Sequence, residues 1–281
     1  MKTKHLRLMQ RAYIILFFCF MYLPIAYMIV FSFNQSKGYS LFTGFTLKWY
    51  RSLFTNASIL HALWVSVEVA ILSAIIATVL GTAASLGIAS MSRKSRLLVT
   101  NITYIPVVNP EIITGISLML LFVAYQRFAA QSAWLPDNIM GLPTLLIAHI
   151  AFNVPYVIFN VSPKLKQLDI RLYEAALDLG CDPRQAFFKG SLPEISPAIL
   201  SAFLICLTYS IDDFMISYFN CGTVETLPIA IYSMTRKKVS PEIYALSTIM
   251  FVVILSVILV SNAMESRSYR RDQKTLRKEG A

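Results

Sequence analysis

Residues 173–180 read Tyr173-Glu174-Ala175-Ala176-Leu177-Asp178-Leu179-Gly180, followed by Cys181-Asp182-Pro183 and, farther on, by Ser191-Leu192-Pro193. The stretch lies between two long apolar segments and is flanked by basic residues, so it reads as a structured connector between membrane spans. Gly180 can end a short helix, because glycine accepts the left-handed backbone conformation that a helix C-cap needs. Asp182-Pro183 can start the next one, with Asp182 as N-cap and proline at the first helical position. Two short helices in this loop predict a rigid knob rather than a slack connection.

Working outward, hydrophobic residues make up 56% of the 281-residue chain and charged residues only 14%. A soluble domain carries about 25% charged residues, so the composition is that of a membrane protein. The segments 12–33, 61–91, 97–125, 142–162, 198–219 and 244–263 are each long enough to cross a hydrocarbon core of roughly 30 Å. Lipid offers the backbone no hydrogen-bond partners, so these segments must be helices. The expected fold is all-α: a polytopic protein of six transmembrane helices in one domain over residues 1–281, with the knob in the 163–193 loop. Neither a low-complexity tract nor a convincing internal repeat is found. The first span is too long for the apolar core of a signal peptide and lacks a small-residue cleavage site, so it is expected to stay in the membrane.

A net charge of +10 invites a nucleic-acid partner, but the distribution argues for something else. Eighteen of the 25 Lys and Arg lie in the N-terminus, the 92–96 loop, the 163–193 loop and the tail. These are alternate connections, as the positive-inside rule requires. Both termini and the Glu174 loop are therefore expected in the cytoplasm, and no nucleic acid is expected. Cys19, Cys181, Cys206 and Cys221 lack metal-ligand spacing, and most sit where disulfides are not expected. His5, His61 and His149 are too dispersed to predict a metal site.

Four acids fall inside or at the mouth of the spans: Glu68, Glu111, Asp212 and Asp213. A carboxylate at mid-bilayer costs about 2.5–3.5 kcal/mol, which makes each a functional candidate. Counting a rise of about 1.5 Å per residue from the cytoplasmic end of each span puts Glu111 and Asp212 at the same depth, about 21 Å. Glu68 lies roughly 34 Å in, near the outer mouth. Acid at two levels of one bundle suggests a path for cations. Each has a structural alternative. Glu111 follows Asn109-Pro110, which looks like a helix restarting with Asn109 as cap and Pro110 first, where the helix dipole alone favours an acid. Glu68 can sit solvated among headgroups.

Adjacent carboxylates in an apolar helix need two partners. Tyr209, Ser210, Asp213 and Ser217 fall on one helical stripe, so periodicity favours Asp213 as the pathway-facing member, with Asp212 turned about 100° away. Tyr209, Phe214 and Tyr218 are close in sequence, and a ring face holds an ammonium for roughly 0.5–2 kcal/mol. Trp49 and Trp64 fit either a binding role or the aromatic belt at a membrane interface. Asn153-Val154-Pro155 predicts a kink in the fourth span.

With these residues placed, the chain resembles the spermidine/putrescine ABC-importer permeases (PotC type) over nearly its whole length. The 173–193 stretch is similar to the EAA loop of importer permeases, departing at Gly190, where the family has an apolar β-branched or similar residue. Asn109-Pro110-Glu111-Ile112 with Gly115-Ile116-Ser117-Leu118 is common to many importers. More specific to polyamine permeases are Ser210-Ile211-Asp212-Asp213-Phe214 and Leu227-Pro228-Ile229-Ala230-Ile231-Tyr232-Ser233-Met234. Ser240-Pro241-Glu242-Ile243-Tyr244-Ala245-Leu246 completes the resemblance.

The resemblance implies a type I (MetI-like) permease in the bacterial cytoplasmic membrane. Its partners would be a homologous second permease, two cytoplasmic ATPase subunits, an extracytoplasmic polyamine-binding protein and membrane lipid. Glu111, Asp212, Asp213, Tyr209, Trp49 and Glu68 are the candidate pathway residues. Glu174, Ala175, Ala176, Gly180, Leu192 and Pro193 are the candidate coupling residues. The chain has no G-x-x-x-x-G-K-[ST] loop, so no cofactor is expected in it; ATP and Mg would belong to the partner ATPase. Rival cargoes within the class are ferric ion, thiamine and a phosphonate, the last a poor match to membrane acids. A secondary cation transporter would leave the knob without a purpose. An intramembrane aspartyl protease needs two carboxyls facing across a gap, which neighbours on one helix cannot provide.

Overall fold

The computed structural model describes residues 2–36, 41–131, 139–237 and 241–279. Ser240 and residues 132–138 lie outside the described residues. Helices carry the fold: α1 Lys2–Phe31, α2 Lys48–Thr55, α3 Ala57–Ser90, α4 Arg93–Val108, α5 Glu111–Ala129 and α6 Leu142–Gln167. There follow α7 Ile170–Asp178, α8 Pro183–Ala186, a π-helical turn over Phe187–Ser191, α9 Leu192–Asp212, α10 Met215–Asn220, α11 Leu227–Lys237 and α12 Pro241–Glu279. Among the described residues, β-structure amounts to a single antiparallel bridge between Asn34 and Phe45. Among the described residues, six helical stretches are long and apolar enough to cross a membrane: Met9–Phe31, Ala57–Ser90, Glu111–Ala129, Leu142–Gln167, Pro183–Asp212 and Pro241–Val260.

Two of the expected spans are interrupted. The 97–125 segment breaks after Val108, and α5 begins at Glu111 with Pro110, not Asn109, as its N-cap residue. The Asn109 amide instead donates to Thr114 Oγ1 at 3.2 Å. The 198–219 segment breaks at Asp213, whose extended backbone (φ −66°, ψ 119°) separates α9 from the short α10. Depths counted along an unbroken rise therefore do not hold, and neither does a polar stripe running from Tyr209 to Ser217 on one helix.

The chain divides into two compact units, Met1–His61 with Ala230–Leu255, and Ala62–Ile229 with Ser256–Ala281. In the first, Asn34 organises the segment after α1: its amide donates to Leu41 O and its Oδ1 accepts from Thr43 N, both at 2.9 Å. The second holds the acids. Its core joins α3, α6 and α9 through Ala74, Ala77, Val157, Val161, Ala202 and Cys206. The small residues of α3 let the helices approach closely, which is where packing in lipid gains its energy. A second cluster, Phe122, Ala148, Phe152 and Ile216, joins α5, α6 and α10. Helix α6 runs unbroken through Pro155.

Candidate functional site

The two interruptions are brought together by close packing of α5 on α10. A Cβ at Gly115 would lie 3.2 Å from both Met215 O and Phe219 Cδ2, so only glycine leaves the backbones this near. The Asn220 amide seals the contact, donating to Gly115 O at 3.2 Å and Ile216 O at 2.9 Å. Glu111, the first residue of α5, thereby comes within electrostatic reach of Asp213 and Asp212. Each of the three carboxyls sits at or beside a helix end rather than on a straight rod of common depth. Tyr209 packs its ring on Tyr156 at 4.9 Å between centroids, and Tyr156 on Phe152 at 5.1 Å. Glu111 lies within electrostatic reach of Tyr156, which sequence reasoning did not single out. Phe214 and Tyr218 stack on each other instead, at 5.4 Å.

The two acids of the pair have different surroundings. Asp213 is buried, and its carboxylate accepts from the backbone N–H of Ile216 at 3.2 Å and of Ser217 at 2.7 Å. It closes the first turn of α10, where free N–H groups and the helix dipole both favour an anion. Asp212, at the end of α9, is exposed. Glu111 is exposed as well, and Tyr209 is 45% exposed. Glu68 is half-buried on α3 and is not among the groups acting on Glu111. Trp49 is buried, with its indole N–H donated to Asn34 O at 2.7 Å; the structure gives it a packing role.

Sequence reasoning also missed the polar centre behind the break. His149 of α6, fully buried, meets Ser210 Oγ with Nδ1 and Ser217 Oγ with Nε2, each at 3.0 Å. Its Nε2 is 3.5 Å from Asp213 Oδ2. Asn153 Nδ2 donates to Ser210 Oγ at 2.9 Å, and Ser73 Oγ lies 2.9 Å from the same oxygen. These partners are scattered through the sequence; the one available signal was an unexplained histidine and asparagine in an apolar span.

The knob forms with the expected caps. Gly180 has φ +84°. Its N–H donates to Leu177 O and that of Cys181 to Ala176 O, at 2.9 and 3.1 Å, the paired bonds of a Schellman ending. Asp182 Oδ1 accepts from Gln185 N at 2.7 Å, with Pro183 next. The second helix, however, is not a separate piece. Through the π turn it continues into α9, so Leu192 and Pro193 belong to the start of a membrane-length helix. The departure at Gly190 has a steric cause: a Cβ there would lie 3.1 Å from Leu172 O on α7. Glu174 and Ala175 are exposed, as are the apolar side chains of Ile170, Leu172, Leu179 and Phe188.

Solved structures share this architecture. A bacterial ABC transporter involved in import of the acidic polysaccharide alginate matches with a TM-score of 0.73 and 18% identity, over 95% of this chain and 96% of that one. The MetNI methionine transporter matches with a TM-score of 0.55 and 15% identity over 75% of this chain and 95% of that one. The fold is that of a type I ABC-importer permease. The putrescine transport system permease protein PotI of Escherichia coli (strain K12) is 38% identical over 239 residues, 84% of this chain and 83% of its own length. The spermidine/putrescine permease PotC of the same strain is 34% identical over 256 residues, 91% and 93% of the two chains. Residues 77–271 match the model of the binding-protein-dependent transport system inner membrane component, and it is to this family of membrane permeases that the chain belongs.

Proposed function

We propose that the chain is the permease subunit of an ATP-driven importer that carries polyamines, spermidine and putrescine, across the bacterial cytoplasmic membrane by alternating access. The observation that carries this is the packing of α5 on α10, which sets the helix breaks bearing Glu111 and Asp212-Asp213 side by side, with the Tyr209 ring at the end of α9 packed on Tyr156. A polyamine is a flexible apolar chain bearing spaced ammonium groups. It calls for carboxylates on separate elements and ring faces between them, not one tight cage. An acid within a membrane is costly, and the exposed Asp212 and Glu111 become favourable once an ammonium displaces their water. Anionic cargo would meet repulsion here. The polyamine permeases at 34% and 38% identity point the same way.

The other parts follow the family's division of labour. The chain is a transport subunit and not an enzyme; ATP and Mg belong to two partner ATPase subunits. Glu174, Ala175, Ala176 and Gly180, with Leu192 and Pro193 at the root of α9, form the face that those ATPases push. A homologous permease completes the pathway, and a polyamine-binding protein delivers cargo from outside. The basic loops support a cytoplasmic position for both termini and the knob.

The test is concentration-dependent uptake of labelled putrescine and spermidine by the assembled transporter. Glu111→Gln and Asp212→Asn should each raise the half-saturation concentration about tenfold, the equivalent of about 1.4 kcal/mol. Asp213→Asn should also reduce the yield of folded complex, because it loosens α10. Unchanged half-saturation in both Glu111→Gln and Asp212→Asn would remove the pathway assignment. A wild-type complex that moves neither polyamine would remove the cargo.

A further inference from the structure

The break between α9 and α10 has neither glycine nor proline to enforce it, so something else must hold Asp213 extended and α10 in place. His149 spans the break: one ring nitrogen meets Ser210 on the α9 side and the other meets Ser217 on the α10 side. We propose that His149 is the positioning residue of the pathway. It pins the two sides of this break together and occupies Asp213, so that Asp212 alone of the pair is presented to the cargo. This rests on the pathway assignment above.

Donor counting fixes how the pin works. A serine hydroxyl has one proton to give and two lone pairs to receive with. Ser210 Oγ must accept from Asn153 Nδ2, because an amide nitrogen only donates. Placing a lone pair of His149 Nε2 toward Asp213 Oδ2 at 3.5 Å would set two acceptors against each other. Nε2 therefore carries the proton and donates to Ser217 Oγ, and Nδ1 accepts from Ser210 O–H. Ser210 then has a second lone pair for the Ser73 hydroxyl, which lies 2.9 Å away and so nearer than that hydroxyl's other acceptor, Ala70 O at 3.3 Å. Ser217 is left with its own proton, which goes to the Asp213 carboxylate. All donors point one way, from Ser73 on α3 through Ser210, His149 and Ser217 to Asp213. A neutral imidazole of one tautomer is the central link, accepting at Nδ1 from one side of the break and donating at Nε2 to the other.

The prediction separates positioning from mere folding. In the assembled transporter, His149→Phe keeps an aromatic ring and loses both bonds. It should raise the half-saturation concentration for putrescine about tenfold, with maximal rate and ATPase activity close to wild type. His149→Gln, whose amide can still donate to Ser217, should recover to within about threefold of wild type. A second readout needs no cargo: with the native cysteines replaced, Asp212→Cys is labelled by a water-soluble thiol reagent. Its labelling rate should change at least about fivefold when His149→Phe is added. If His149→Phe fails to reach the membrane, Ser217→Ala, which removes the Nε2 partner, goes through both assays. Wild-type half-saturation together with an unchanged labelling rate overturns the proposal. So does a fall in maximal rate alone with half-saturation unchanged. Absence of polyamine uptake by the wild-type complex would count against the cargo, and the labelling arm would still decide the pin.

Discussion

The chain reverses or breaks its helices at the two places proposed above for coupling and for cargo, and the two are built in opposite ways. At 179–183 every determinant is local: a glycine at φ +84°, two carbonyl bonds within one turn, and an aspartate cap followed by proline. A Cβ at Gly180 would meet nothing within 4 Å, so the turn owes little to its surroundings. At 212–215 almost nothing is local beyond the Asp213 carboxylate on the first amides of α10. The rest comes from α3, α5 and α6, through Ser73, Gly115 and His149. A surface proposed to dock a partner benefits from being self-sufficient. A site proposed to take cargo within the bundle benefits from being wired to several helices.

The same substitution at the two glycines would expose this difference most strongly. Gly180→Val forces a β-branched residue into the left-handed region, at a cost of at least about 1–2 kcal/mol. With open space around the side chain, the damage should stay in the knob. Uptake should be abolished and co-purification with the ATPase lost, while the permease itself melts as wild type does. Normal transport by this variant would remove the coupling assignment.

Gly115→Val should fail differently. Its side chain must enter a gap in which a bare Cβ already sits 3.2 Å from Met215 O and Phe219 Cδ2, and overpacking of this kind costs about 1–3 kcal/mol. The expected outcome is uptake reduced by an order of magnitude, a lower melting temperature and ATPase association retained. If ATPase association were lost as well, the two breaks would not be independent structures.

This contrast also explains what the amino-acid sequence disclosed. The six spans are written in composition, and the knob in Gly180, Asp182 and Pro183, because hydropathy and cap chemistry act over a few neighbouring residues. The end of α4 was half legible: Pro110 announced an interruption but misplaced the cap, since Asn109 spends its amide on Thr114. The different surroundings of Asp212 and Asp213 were not legible. Periodicity assumed one helix, and the histidine that bridges its break is 61 and 68 residues away from its serine partners. Trp49 illustrates the same limit, because an interfacial tryptophan and one buried against Asn34 look alike in a sequence.

The smallest expected effect tests whether the knob is self-sufficient to the degree its geometry implies. Asp182→Ala removes the side-chain oxygen that takes the Gln185 N–H, and loss of an N-cap costs about 1 kcal/mol. Gly180 still closes α7, and Pro183 still has the backbone angle that starts a helix. The knob should therefore loosen without dissolving. Uptake should fall about two- to fivefold with the ATPase still bound, since 1.4 kcal/mol corresponds to about tenfold and the loss here is smaller. Asp182→Asn keeps a side-chain acceptor and should be nearly silent, which distinguishes the cap from the lost negative charge. Should Asp182→Ala be as damaging as Gly180→Val, the turn would depend on each local bond rather than on their sum, and the ATPase would then be reading the start of α8 directly.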